Sequence, residues 1–132
     1  MGAKLDIVGV NIKDSGALAI MTQSLLAHRG LKAITPLGGT PHRNIVQAMK
    51  DSGVVVPVVG FDVSPGIVDG IKSGAIDATA DQQGYVQGFQ SVAELALYLD
   101  FGLSPASINS GGSGLIDKTN LGDVEELAGK VR

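Results

Sequence analysis

Apolar residues arrive along this chain in short β-branched runs, separated by stretches in which they recur every three or four positions. The first run, 5-LDIVGVNI-12, is bounded by Lys4 and 13-KDSG-16 and predicts a strand buried on both faces. Ser15 then caps a helix over about 16–29, with Leu18, Met21, Leu25 and Leu26 at helical spacing and Gly30 placed to end it. A second strand is predicted in 33-AITPL-37, where Pro36 lacks an N–H and belongs near a strand end or an edge. Thr40 as N-cap and Pro41 as first helical residue open a helix that closes at Gly53, with Ile45, Val46 and Met49 on one face. The most hydrophobic run, 54-VVVPVVGF-61, predicts a third strand, and it leads through Asp62 to Ser64 and Pro65, the N-cap and first residue of a short helix ending near Gly74. A short strand in 76-IDATADQQ-83 precedes the longest helix, 85-YVQGFQSVAELALYLDFG-102, in which Phe89, Val92, Ala96 and Leu99 form a stripe widened by Val86, Ala93 and Leu97. The Ser- and Gly-rich stretch 103–114 predicts a loop, and 121-LGDVEELAGKVR-132 a short amphipathic helix.

Strands alternating with helices of ordinary length imply an α/β layer fold with a mainly parallel sheet and right-handed crossovers. In such folds ligands bind outside the carboxyl ends of the strands, so three places matter: Gly38 to Thr40, Asp62 to Ser64, and Asp81 to Gln83. At 132 residues the chain suits one domain, and with 44% hydrophobic residues it can build a core, yet no apolar run reaches the length of a membrane span. Ten basic against thirteen acidic residues give a net charge of −3 with no basic stripe, which argues against nucleic acid and anionic membranes as partners. There is no cysteine, hence no disulfide, thiolate nucleophile or thiolate metal site, and residues 1–4 carry no visible secretory signal.

Each strand end has a functional and a structural reading. A carboxylate at Asp62 can accept hydrogen bonds from two hydroxyls of a polyol, or it can close an Asx-turn on nearby amides. Gln82 and Gln83 offer donor and acceptor together, which suits a neutral hydroxylated ligand, or they form a solvated connection. The 38-GGT-40 turn with Arg43 can hold an anion, or its glycines serve only a tight strand-to-helix turn. His28 falls near a helix C-terminus, where an imidazolium is favoured without any catalytic role. The cluster 111-GGSG-114 has neither G-x-G-x-x-G after a strand nor the Lys-Ser/Thr ending of a phosphate loop. No spacing of His with His or Glu supports a metal, and no nucleophile elbow is present, so neither cofactor nor enzymatic activity is expected.

The block 55-VVPVVGFDVSPGIVDGIKSGAIDATADQQGYVQGFQSVAELALYLDFG-102 resembles the C-terminal part of a type I periplasmic solute-binding protein of the ribose- and sugar-binding kind. The V-V-G-F-D strand end, the I-K-S-G-x-I-D-A-T return and the D-Q-Q approach to the hinge carry that resemblance. The stretch 25-LLAHRGLKAITPLGG-39 and the tail 108-INSGGSGLIDKTN-120 extend it over nearly the whole chain. Effector-binding domains of LacI-like regulators share G-F-D, but no DNA-binding module is visible here.

The resemblance implies a periplasmic protein of two α/β lobes that closes on a small ligand and delivers it to the permease of an ABC importer. It implies ligand-binding roles for Asp62, which matches the acidic residue that takes sugar hydroxyls, and for Gln82, which matches the hinge glutamine. Gly38 and Gly39 stand where relatives carry polar residues such as Asn-Asp, and Gly84 stands where the family commonly has Pro. It also implies that the chain starts at the second strand of the C-terminal lobe, so that a central strand has to be replaced by the tail around 107–117 or by a second copy.

These observations lead to one three-layer, flavodoxin-like α/β lobe over 1–132 with a mainly parallel sheet of about four to five strands. Residues 1–83 form its core units, and 84–132 a hinge-derived helix and tail that can exchange between chains. The expected site is Asp62, Gln82, Gly38 and Thr40, the expected ligand a sugar or polyol, and the expected assembly a homodimer. The alternative is a half-protein that folds and self-associates as a scaffold without binding ligand.

Overall fold

Two prolines decide how much of the predicted sheet forms. The computed structural model describes residues 4–10, 16–104 and 114–131. Among these, strand β1 (Val59–Phe61) pairs in parallel with β2 (Ala78–Ala80), and β3 (Leu115–Asp117) joins the other edge of β2 antiparallel. The run 33–37 contributes a single parallel bridge, Ile34 to Val58. Ile34 N–H donates to Pro57 O at 2.9 Å and Val59 N–H donates to Ile34 O at 3.2 Å. The next rung on either side would need an N–H from Pro36 or from Pro57, and proline has none.

The sheet is therefore mixed and has three strands among the described residues, where a mainly parallel sheet of four to five was expected. Residues 5–10 of the predicted first strand form no strand, and Leu5 and Ile7 are more than four-fifths exposed. Val10 alone of that run packs on the core. The tail enters the sheet at its edge as β3 rather than at its centre, and residues 105–113 lie outside the described ones, as does the predicted cap Ser15.

Helices follow the predicted pattern closely. α1 (Ala17–Ala27), α2 (Gly39–Ser52), α3 (Pro65–Ser73) and α4 (Gly84–Phe101) fall within two residues of their expected bounds. Ser64 holds the extended conformation of an N-cap with Pro65 as first helical residue, and Gly74 ends α3 in the left-handed region at φ 79°. α2 departs from expectation: its N-cap is Gly38, at φ 137°, and Thr40 and Pro41 sit inside the first turn. Proline is tolerated there because first-turn N–H groups have no partner within the helix. The predicted C-terminal helix is two 3₁₀ turns, Leu121–Asp123 and Glu125–Leu127. The chain leaves them at Gly129, φ 74°, and they bury Leu121, Val124 and Ala128.

α2 packs against α1, α3 and β1. One apolar cluster joins Met21 and Leu25 of α1, Ile45, Ala48 and Met49 of α2, Ile67, Val68 and Ile71 of α3, and Val58, Ile76 and Ile116 of the sheet region. Ile67, Ile71 and Val58 are fully buried, each contributing about 1.5–3 kcal/mol of transfer free energy. α4 is the exception, because none of its 18 residues is buried.

Two glycines of α3 separate helix propensity from packing. A Cβ on Gly70 would lie 2.5 Å from Ile76 Cδ1 and 2.9 Å from Cγ1, whereas one on Gly66 would meet only Arg43 Cβ, at 3.4 Å. Ile76 is itself buried and cannot swing away. Gly70→Ala is expected to destabilise the protein by about 1–3 kcal/mol, while Gly66→Ala gains up to ~1 kcal/mol from propensity. Urea denaturation of both variants checks this; equal midpoints would contradict the packing at Gly70.

Candidate functional site

The carboxyl ends of β1 and β2 and the amino end of α2 meet at Asp62. This residue is held at φ 73°, a left-handed conformation that costs a non-glycine residue about 1 kcal/mol or more. Both peptide planes flanking its Cα are pinned. In the first, Asp62 N–H donates to Ala80 O at 3.0 Å while the Phe61 carbonyl lies 3.0 Å from His42 Nδ1. In the second, Asp62 O accepts from Thr79 Oγ1 at 2.6 Å.

So placed, the carboxylate of Asp62 accepts from Gln82 Nε2 at 2.7 Å. The expected alternative, an Asx-turn on nearby amides, is not what Oδ1 does: its partner lies 20 residues on, beyond β2. Asp62 Oδ2 packs over Gly39, where a Cβ would stand 2.8 Å from it. Gly39 is thus a glycine because the carboxylate occupies the space of a side chain. The structure brings Asp62, Gln82 and Gly39 together, with Gly38 and Thr40 flanking Gly39 in the first turn of α2. Gln87 Nε2 donates to Gln82 O at 2.5 Å, which ties the start of α4 to the site. Asp81, 2% exposed, is drawn into the turn, where its Oδ1 accepts from Gln83 N–H at 3.0 Å.

A carboxylate offers about four acceptor positions. With one taken by Gln82, Asp62 retains capacity for neighbouring hydroxyls of one ligand. Gln82 contributes its amide oxygen, and the N–H groups of Gly39 and Thr40 belong to the helix turn that lacks internal acceptors. The set is neutral-ligand chemistry: acceptors and donors with no nucleophile–base pair. Among the described residues no group of three or more His, Asp or Glu is placed to hold a metal ion. Two shallow depressions lie away from this edge, one between α2 and α3 beside Arg43 and Asp69, the other at the amino end of β2 beside Asp77 and Lys118.

The residue that sequence reasoning undervalued is His42. It is fully buried, and its ring lies directly on the backbone of β1, so that a Cβ on Gly60 would stand 2.7 Å from Nδ1. A glycine inside a strand is the signal that marks such a close approach. Because a carbonyl only accepts, Nδ1 carries the proton and Nε2 is bare; Nε2 is buried with no hydrogen-bond partner. Burial pushes the imidazole below its ordinary range, opposed by the Phe61 carbonyl and by the charge of Asp62.

The consequence for stability has a definite sign. The unfolded chain takes up a proton on His42 near pH 6.5 and the folded one does so only at lower pH, so acidification through this window favours unfolding. The slope approaches about 1.4 kcal/mol per pH unit. Wild type is expected to lose stability between pH 7.5 and 5.5 relative to His42→Asn, measured by urea unfolding at each pH. Parallel curves would show that His42 is not buried neutral.

Comparison with known proteins places the fold. The chain is 25% identical to the xylose/arabinose-binding protein of Sulfolobus acidocaldarius, over 85% of this chain and 31% of that protein. A carbohydrate transporter from Acidothermus cellulolyticus 11B, solved in complex with myo-inositol, superposes with a TM-score of 0.78 at 25% identity, over 87% of this chain and 41% of the other. An ABC transporter solute-binding protein from Agrobacterium vitis, bound with α-D-tagatopyranose, gives 0.71 at 25% identity, over 86% and 39%. The chain therefore spans 31–41% of the length of these relatives. The periplasmic binding protein domain matches residues 2–103, three-quarters of the chain, and the protein belongs to that family.

Proposed function

We propose that this chain is a sugar-recognising lobe of a solute-binding protein, binding a small polyhydroxylated ligand at Asp62 and Gln82 without catalysis. The observation that carries the reading is the Asp62–Gln82 pair, 2.7 Å apart at the carboxyl edge of the sheet, in a member of this family. Asp62 accepts from two ligand hydroxyls, Gln82 bridges carboxylate and ligand, and Gly38 and Thr40 supply backbone contacts at the amino end of α2. Similarity to proteins named for xylose, arabinose, myo-inositol and tagatose supports a pentose, hexose or cyclitol as the ligand class. In the complete protein the lobe works in the periplasm and hands its ligand to an ABC permease. An open edge encloses only part of a small ligand, so affinity of the lobe by itself is weak.

A thermal-unfolding scan against D-xylose, L-arabinose, myo-inositol and D-tagatose at millimolar concentration tests this. A ligand at ten times its Kd stabilises by about 1.4 kcal/mol, which raises the Tm of a domain this size by roughly 3–6 °C. One sugar of the four is expected to give such a shift, and Asp62→Ala to abolish it. Equal shifts in wild type and Asp62→Ala would place the site elsewhere.

A second reading concerns the chain by itself: association of two copies through α4. It is favoured by nine large apolar residues of that helix, among them Phe89, Val92, Leu99 and Phe101, each 42–71% exposed. Glu94 and Asp100 are the only charges along that helix. Light scattering is expected to give twice the mass of the chain for wild type and the single mass for Phe89→Glu/Val92→Glu. A wild-type monomer at 100 times the working concentration would rule the association out.

A further inference from the structure

We propose that His42 is the positioning residue of the Asp62 site: by donating Nδ1–H to the Phe61 carbonyl it stands in for a missing strand and fixes the peptide plane from which Asp62 presents its carboxylate.

The geometry follows from the sheet. In a trans peptide the C=O and N–H point to opposite sides of the strand. Asp62 N–H points to β2, where Ala80 O receives it, so Phe61 C=O points to the other side of β1. That is the side on which Ile34 bonds Val59. The ladder on that side ends with Ile34, because Pro36 has no N–H for the next rung, and nothing of the 33–37 run reaches Phe61. His42 fills the place from the first turns of α2, 19 residues earlier in the chain, with its Nδ1 at 3.0 Å. Gly60 makes this possible, since any side chain there would collide with the ring. Thr79 Oγ1 holds the following peptide plane through Asp62 O and also lies 3.5 Å from His42 Nδ1, so both pins of Asp62 meet at one buried point. A backbone conformation held at positive φ persists only when its surroundings over-determine it. Without the His42 donor, the Phe61 carbonyl loses its side-chain partner and the first plane is held from one side alone, by Asp62 N–H on Ala80 O.

This inference rests on the sugar-binding reading for its functional consequence, but its geometric content is independent of any ligand. The test is nuclear magnetic resonance of the full chain. In wild type the His42 ring is expected to show a protonated Nδ1 and an unprotonated Nε2. His42→Ala is expected to move the Asp62 amide and Cα/Cβ resonances out of the left-handed range well below its melting temperature. His42→Asn, whose Nδ2 falls where Nδ1 was, is expected to restore them. Titrations with D-xylose and myo-inositol accompany each variant: about a tenfold loss of affinity is expected in His42→Ala, the equivalent of one lost hydrogen bond, with recovery in His42→Asn.

A residue that merely fills space would lower the melting temperature and leave the Asp62 resonances in place. That result overturns the proposal, as does an Nε2–H tautomer in wild type, a measurement that needs no variant to fold. His42→Asn behaving like His42→Ala overturns it too. Should wild type bind neither sugar, the sugar reading fails at these ligands while the tautomer and the Asp62 resonances still decide the role of His42.

Discussion

The geometry of this protein's Asp62 edge depends on one constraint: the two peptide planes on either side of Asp62 must both be held for it to stay at positive φ. Three residues from two separate parts of the chain supply the pins, Ala80 and Thr79 of β2 and His42 of α2. None of them is close to Asp62 in sequence. Their convergence requires α2 to pack on β1, and that packing requires Gly60 to carry no side chain and Gly39 to leave room for the carboxylate. The apolar cluster formed by α1, α2, α3 and the strands is what keeps those elements in place. Core and site are thus one structure, and loosening of α2 disturbs both.

Much of the helical framework was legible in the chain, because its punctuation is explicit. Ser64-Pro65 opens α3 and Gly74 closes it, and Gly53 and Gly102 end α2 and α4 in the left-handed region. The strands were less legible. Apolar, β-branched runs say that a segment can enter a sheet but not whether a neighbour exists to pair with it. The run 5–10 is the clearest case: it is strand-like in composition, yet it pairs with no strand among the described residues and is largely exposed. At 33–37 the proline signal was correctly placed, but its full effect depends on Pro57 in the partner, and only the pairing register reveals that both rungs are lost. The tail misled in the opposite direction, since a helical spacing of Leu121, Val124 and Ala128 is satisfied as well by two 3₁₀ turns that bury the same three residues.

The positions of Asp62 and Gln82 were legible, since both stand where strands end in an α/β fold, and the structure brings the two side chains into contact. What held them was not. His42 and Arg43 are neighbours in the first turn of α2, and the two diverge in the structure: His42 is buried on β1, while Arg43 is exposed along the groove between α2 and α3. Glycines 38 and 39 looked like turn residues, and Gly38 is one; Gly39 instead yields its side-chain space to the Asp62 carboxylate. In the structure a histidine on neither strand end lies against the backbone that carries the Asp62 carboxylate.

The account stands or falls on whether ligand binds at the Asp62 edge. The most direct measurement is a residue-resolved amide-shift map of the isotopically labelled chain titrated with myo-inositol and with D-xylose. The account predicts saturable shifts at Gly38, Gly39, Thr40, Asp62 and Gln82, and none at Asp117, Lys118 and Thr119 at the opposite end of the sheet. Shifts confined to that opposite end, or to the groove between α2 and α3, would contradict it.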